Sequence, residues 1–218
     1  MAEQNKYLDY VFTEEEGKHI FFTSDTHFNH DNIINFCARP YGSVEEMNED
    51  LIQKWNNKVS KNDIVFHLGD FAWGGTTKWI PILERLNGHI ILCLGNHDEA
   101  NIRPTAEVYF KDIRYQYKIM VGNIQIYLNH HPFLTWGGVY RKNVWQFFGH
   151  VHSVLKDNPT YNTGADASRL TYLFPNQYDV GCDLNDYTPL SFNEVKEIIT
   201  KQIDYHETKS HNINNEQY

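Results

Sequence analysis

The stretch His19-Ile20-Phe21-Phe22-Thr23-Ser24-Asp25 runs through consecutive apolar side chains and closes on polar ones. An apolar run without alternation is how a strand buried on both faces of a parallel sheet reads. Two later runs repeat the pattern. Ile64-Val-Phe-His-Leu68 ends at Gly69-Asp70, and Ile90-Ile-Leu-Cys-Leu94 ends at Gly95-Asn96-His97-Asp98. Helix signals lie between them. Ser43-Val-Glu-Glu46 is a capping box, which opens a helix through about Val59 with Met47, Leu51 and Trp55 on one face. A second helix is expected from about Thr76 to Leu86, stopping near Asn87-Gly88. The resulting βαβαβ order gathers polar side chains at strand carboxyl ends, where open α/β sheets carry their sites.

Outward from this unit the chain changes character. Ile113–Met120 and Ile124–Asn129 flank Val-Gly-Asn and predict a hairpin. Trp145-Gln-Phe-Phe-Gly-His150 predicts a strand ending at His150-Val-His152, and another strand is expected around Tyr178–Cys182. The segment 158–177 is polar, aromatic and punctuated by glycine, and reads as a long loop or an irregular hairpin. Ser191-Phe-Asn-Glu194 is a further capping box, starting a last helix through about Tyr205. Residues 206–218 read as a frayed tail. With no internal repeat and no linker, residues 1–218 form one domain with a motif-bearing core of about 19–190.

Composition bounds the function. A chain of 218 residues with 41% hydrophobic and 22% charged residues is an ordinary globular protein. Its net charge of −9 excludes a broad footprint on a nucleic-acid backbone, so a long nucleic acid is not an expected partner. Bound cations could still reverse the sign within one pocket. No apolar run approaches the roughly 18 residues of a membrane span. Cys37, Cys93 and Cys182 are too scattered for a disulfide framework or a zinc knuckle. A cytoplasmic setting is expected, with no membrane and no obligate protein partner.

Twelve histidines are the chemical signal. Five clusters stand at predicted strand ends: Asp25-Thr-His27, Gly69-Asp70, Gly95-Asn-His-Asp98, His130-His131-Pro132 and Gly149-His-Val-His152. Carboxylate, imidazole and carboxamide without thiolate suit divalent manganese, iron, nickel, cobalt or zinc. Asp25 and His27 are two apart, as are His150 and His152, so on a regular strand each pair would point to one face. Glycine before Asp70, Asn96 and His150 lets the backbone turn sharply.

The ordered set Asp-x-His, Gly-Asp, Gly-Asn-His-Asp, His-x-Pro and Gly-His-x-His resembles the calcineurin-like metallophosphoesterase superfamily. The stretches SDTHFNHDNII, WNNKV and HLGDFAWG are similar to its small bacterial and phage members. The resemblance spans about His19 to Leu190. It implies a four-layer α/β/β/α sandwich of two facing mixed sheets, with a dinuclear site on loops at one edge. It further implies that Asp25, His27 and His152 hold one metal, that Asn96, His130 and His150 hold the second, and that Asp70 bridges them. Two divalent ions, manganese foremost, would generate a bridging hydroxide that attacks phosphorus in line, with His97 as general acid.

Departures from the wider family narrow the substrate. Its protein phosphatases carry Gly-Asp-x-x-Asp-Arg-Gly; here Trp73 replaces the second Asp and no Arg follows. A phosphodiester or small nucleotide-like substrate is therefore expected over phosphoprotein. Two alternatives are a nuclease acting on short oligonucleotides and a catalytically silent metal-binding scaffold. Every implied ligand is present, which argues against the scaffold.

Other residues carry two readings each. His30 either reaches the crevice or caps the helix beginning near Asp31. Arg39, Arg141 and Arg169 are candidates to grip a substrate phosphate, against surface salt bridges. Trp73, Trp136 and Tyr140 either stack on a nucleobase or pack internally. His67 reads as a satisfied core histidine, and Asp98 as the cap of its own turn rather than an orienter of His97.

Overall fold

The computed structural model describes residues 7–102, 106–152 and 173–215. The three buried runs form the middle of its first sheet. Strands β2 (Ile20–Thr23), β3 (Ile64–His67) and β4 (His89–Cys93) lie parallel, with Phe22 opposite Phe66 and Phe66 opposite Ile91. Alternate side chains part company, as the pleat requires. Phe21, Val65, Ile90 and Leu92 pack with Met47, Leu51 and Trp55 of helix α2 (Val44–Lys58) and with Trp79 of α3 (Thr76–Leu83). Ile33 of the short helix α1 (Asp31–Phe36) joins the same core. Ile20, Phe22, Phe66, Ile91 and Cys93 face the other way, into the core between two sheets.

The second sheet supplies the opposite wall of that core. Its order is β1 (Tyr10–Phe12), β6 (Gln116–Val121), β7 (Ile124–Asn129), β8 (Val144–Phe148) and β9 (Gln177–Asp179). The β6–β7 hairpin forms as expected, with Val121 opposite Ile124. Tyr117, Ile119, Ile126, Leu128 and Phe147 point at the first sheet. Both sheets are mixed: β6 and β7 are antiparallel among parallel neighbours, and β10 (Leu190–Ser191) is antiparallel to β2. The fold is α/β.

Three local expectations are corrected. The run Ile113–Met120 is not one strand: β5 (Asp112–Arg114) pairs with β4 in the first sheet, and the chain then crosses into β6 of the second. Period-2 alternation records which side of a strand is apolar, but not which sheet the strand joins. Helix α3 ends at Leu83 rather than Leu86 and contains Pro81, which contributes no amide to the ladder. After the one-turn helix α4 (Asp98–Asn101), the last helix, α5 (Phe192–Asn215), continues well past Tyr205, so residues 206–215 are helical rather than a frayed tail.

Both capping boxes start their helices where expected. The Glu46 amide donates to Ser43 Oγ at 3.2 Å, and Ser191 and Glu194 exchange bonds in both directions. Phe192, Val195 and Ile199 carry α5 into the core between the sheets. Helices α2 and α3 cover the outer face of the first sheet. Among the described residues, the second sheet's outer face is covered by Trp136, Val139 and Phe133 from segment 132–143, together with Phe174. Most of 158–177, with Arg169, lies outside the described residues. No helix among the described residues is long and apolar enough to cross a membrane.

Candidate metal centre

All five clusters converge at one edge, where the carboxyl ends of β2, β3, β4, β7 and β8 meet. The strands stop first, and the loops then continue the pairing. The Asp25 amide donates to Gly69 O at 2.9 Å and the His27 amide to Asp70 O at 3.0 Å. The backbone here is turned rather than extended. Asp25, His27, Asp70, His150 and His152 all have positive φ, between 45° and 69°. Left-handed backbone at non-glycine residues costs energy and concentrates at functional sites. The expected convergence of Asp25 with His27 is therefore real, but consecutive turns produce it rather than strand alternation.

Two glycines permit the close approach. Gly69 has φ +100°, and a Cβ there would lie 2.6 Å from Gly95 N. A Cβ on Gly149 would lie 2.1 Å from Ser24 Oγ and 2.2 Å from Asp25 Oδ2. No side chain fits at either position.

The side chains form two adjoining sets. In the first, His27 Nε2 lies 3.6 Å from Asp70 Oδ2, and His152 Nε2 lies 3.9 Å from Asp25 Oδ1. Asp25, His27 and His152 are all buried and offer ligand atoms within 4.8 Å of one another. In the second, His130 Nε2 stands 3.0 Å from Asn96 Oδ1, 3.2 Å from His150 Nδ1 and 3.4 Å from Asp70 Oδ2. Asp70 thus touches both sets. His131, beside His130, is exposed, with its ring centre 4.3 Å from that of His150 and the two rings tilted by 49°.

The chemistry of these atoms fits divalent cations. Asp25 Oδ1 and His27 Nε2 are fully buried and have no hydrogen-bond partner. An orphaned buried polar atom costs about 1–3 kcal/mol. Spacings of 3.6–3.9 Å exceed a hydrogen bond but suit atoms that each approach one ion to about 2.1 Å. Burial pushes the Asp25 carboxyl up, against the pull of His152 and His130. Burial also works against ionisation of Asp70, yet His130 and His27 hold its pKa well below the usual range. Reciprocally, contact with Asp70 and Asp25 outweighs burial and raises His130. His27 and His150 move the other way, lowered by burial and by the neighbouring imidazoles.

A supporting set fixes these side chains, and the sequence reading missed its centre, Asp183. Its Oδ2 lies 2.6 Å from His152 Nδ1, which leaves Nε2 directed at Asp25. A carboxylate behind the remote imidazole nitrogen is the usual brace of a metal-binding histidine. His130 is braced in the same way by Leu68 O, 2.8 Å from Nδ1. Asp183 in turn receives Arg39 through Nε and Nη2, each at 2.8 Å.

This corrects the expectation for Arg39. It is 4% exposed, and its other donors serve the carbonyls of Thr26 and Asp25, so it is not available to a substrate phosphate. Asp98 does more than cap its own turn. It accepts from the amides of Gly95, Asp70 and Phe71 at 2.7–2.9 Å, tying two ligand loops together, and its carboxylate is spent on these bonds rather than on His97.

The remaining residues fall on and off the centre. His97 lies at its mouth with a side chain 40% exposed and Nε2 3.9 Å from Asp70 Oδ2. His30 stands at the N-cap of α1 without a side-chain cap bond; its Nδ1 meets His27 Nδ1 at 3.3 Å. Trp73 stacks on His30 and stays partly exposed. Arg141 is not brought to the centre: it lines a separate cleft with Tyr140, Phe174 and Glu207. Trp136 packs in the small cluster on the second sheet. His67 is a satisfied core residue, bonded to Thr26 Oγ1 and Gly69 N.

Comparison with known proteins places this architecture. The calcineurin-like phosphoesterase profile matches residues 18–180. An uncharacterized protein of Methanocaldococcus jannaschii is 35% identical over 188 residues, covering 84% of this chain and 92% of its own. The gene 66 protein of Mycobacterium phage D29 is 26% identical over 206 residues, covering 83% and 95% respectively. Among solved structures, a protein of unknown function from Aquifex aeolicus is similar with a TM-score of 0.63 at 25% identity, covering 82% of this chain and 98% of that one. The profile takes in every cluster from Asp25 to His152, and on that span the chain belongs to the calcineurin-like phosphoesterase family.

Proposed function

We propose that the protein is a dinuclear metal-dependent phosphoesterase acting on a phosphodiester or small nucleotide-like substrate, with His97 as general acid. The observation that carries this reading is Asp70 Oδ2, 3.6 Å from His27 Nε2 and 3.4 Å from His130 Nε2. One carboxylate shared by two imidazole sets is the arrangement a two-metal hydrolase needs. Asp25, His27 and His152 would hold one cation, Asn96, His130 and His150 the other, and Asp70 both. Bound there, divalent ions such as manganese neutralise phosphate oxygens and lower the pKa of water. Iron, nickel, cobalt and zinc suit the same donors.

The protein's own groups supply the rest. The His97 amide donates to Asp70 Oδ1 at 2.9 Å, so the loop bearing the acid also orients the shared carboxylate. The half-exposed His97 imidazole can hand a proton to a departing alkoxide. Arg39 is consumed by buried partners, and Trp73 stands where phosphatases place an acid. This leaves no guanidinium, among the described residues of the centre, to grip a doubly charged monoester. A singly charged diester fits that supply of positive charge better.

Manganese-loaded protein is expected to hydrolyse bis-p-nitrophenyl phosphate. On a dinucleotide, whose alkoxide leaving group needs the proton, His97→Ala is expected to lower kcat by about 10²–10⁴ while metal analysis shows the ions retained. Turnover confined to phosphoprotein, or an undiminished kcat in His97→Ala, overturns the reading.

A further inference from the structure

We propose that Trp73, stacked on His30, an imidazole that Phe36 meets edge-on, is a platform for the nucleobase of a nucleotide ester. This rests on the phosphoesterase reading of the adjoining centre and names its substrate class. Trp73 and Phe36 are 41% and 54% exposed, in a chain that buries Trp55 and Trp79 to 1% and 0%. Single exposed apolar residues are ordinary; the arrangement of these is not. The Trp73 ring lies parallel to His30, 4.4 Å away and tilted by 11°. Phe36 meets the same imidazole edge-on at 6.4 Å.

The platform is held in place before any ligand arrives. The Trp73 amide donates to Phe28 O at 2.7 Å, and the Gly74 amide to Asn101 Oδ1 at 3.1 Å. His30 is anchored against His27. The loops that carry the metal-site residues therefore also fix the ring, so little ordering entropy remains to be lost on binding.

Its position faces the chemistry. Trp73 lies 5.5 Å from His97, and His97 lies 5.5 Å from His27, ring centre to ring centre. A phosphate at the centre would have its organic arm beside His97 and within reach of the indole. A flat aromatic surface recognises a planar ring by stacking and is indifferent to which base it meets. The net charge of −9 disfavours a long polyanion, so one base of a small substrate is the occupant that fits.

Adenosine 5′-monophosphate and ribose 5-phosphate share phosphate and sugar and differ only in the base. Calorimetric titration of manganese-loaded protein is expected to show the nucleotide binding about ten-fold more tightly, the scale of one base–aromatic stack. In Trp73→Leu the ratio of the two affinities is expected to fall close to one, and in Trp73→Phe to recover most of its value. Equal affinities in the unmodified protein, or an undiminished ratio in Trp73→Leu, overturn the platform. Bis-p-nitrophenyl phosphate turnover in the same preparation separates the two readings. Turnover with equal affinities removes the platform alone, whereas absence of turnover removes the phosphoesterase reading beneath it.

Discussion

His152 can aim Nε2 at Asp25 because its other nitrogen is engaged by Asp183, which also neutralises Arg39. The side chains of Arg39 and Asp183 are 0% exposed, so no water substitutes for either. Asp183→Asn therefore acts twice. It leaves Arg39 a buried cation with its charge unpaired, a loss of about 3–5 kcal/mol. It also loosens His152, and removing such a brace lowers metal affinity by about 10–100-fold. Thermal melting and manganese titration are expected to show both effects; a lower Tm with unchanged manganese affinity would confine Asp183 to folding. The pH dependence has a definite sign. Burial opposes ionisation of Asp183, but Arg39 and His152 hold its pKa below the usual range. Its stabilisation is thus complete above the ordinary carboxylate pKa and fades only as pH falls through the depressed value. Asp183→Asn should flatten that acid limb. None of the five clusters contains Asp183, and Arg39 is 144 positions away, so only the folded chain reveals the pair.

At the scale of elements, the sheets join where β8 ends. The His150 amide reaches across to Asp25 Oδ2 at 2.9 Å, while Gly149 N donates to His130 O at 2.9 Å. Nearby, Ser24 and Gly181 form a parallel bridge from the end of β2 to the segment after β9. Gly149→Ala would drive a methyl group against Ser24 and Asp25, and overpacking of this kind costs about 1–3 kcal/mol. Reduced thermal stability with weakened manganese binding is the expected outcome. Gly75→Ser is the control, since a Cβ there meets nothing within 4 Å and serine suits the N-cap of α3; it should not fall more than about 0.5 kcal/mol below the parent. Much of this level was legible beforehand. Continuous apolar runs marked β2, β3 and β4, two capping boxes marked the starts of α2 and α5, and a glycine turn marked the β6–β7 hairpin. The remainder was too short or too non-local to leave a pattern. β1 has three residues and β10 has two, and the passage from β5 to β6 depends on which partners lie nearby. The left-handed turns at Asp25 and His27 were hidden for a different reason: residue type permits that conformation, but only the packed neighbours impose it.

For the whole molecule, the candidate centre bridges the sheets. Asp25, His27, Asp70 and Asn96 follow strands of the first sheet, and His130, His150 and His152 follow strands of the second. Elsewhere the sheets meet through apolar contacts such as Phe22 with Phe147, 4.8 Å apart. At this edge they meet through carboxylates and imidazoles. Ions shared by ligands from both sheets would bind the folded chain far better than the unfolded one. Each site should then add RT ln(1 + [metal]/Kd), about 2.7 kcal/mol at one hundred times Kd. The Tm is expected to climb with the logarithm of manganese concentration and to fall back on chelation. Hydrogen exchange should slow most at 25–29, 69–72 and 149–152, the loops that meet at the edge. Protons compete for the imidazoles, so the rise in Tm should shrink as the solution is acidified. Asp70→Asn should abolish most of the rise, because that side chain contacts both sets. If manganese leaves the Tm unmoved in the unmodified protein, the convergence of the two sheets at this edge serves folding alone, and the orphaned Asp25 and His27 atoms are strain that the packed fold carries.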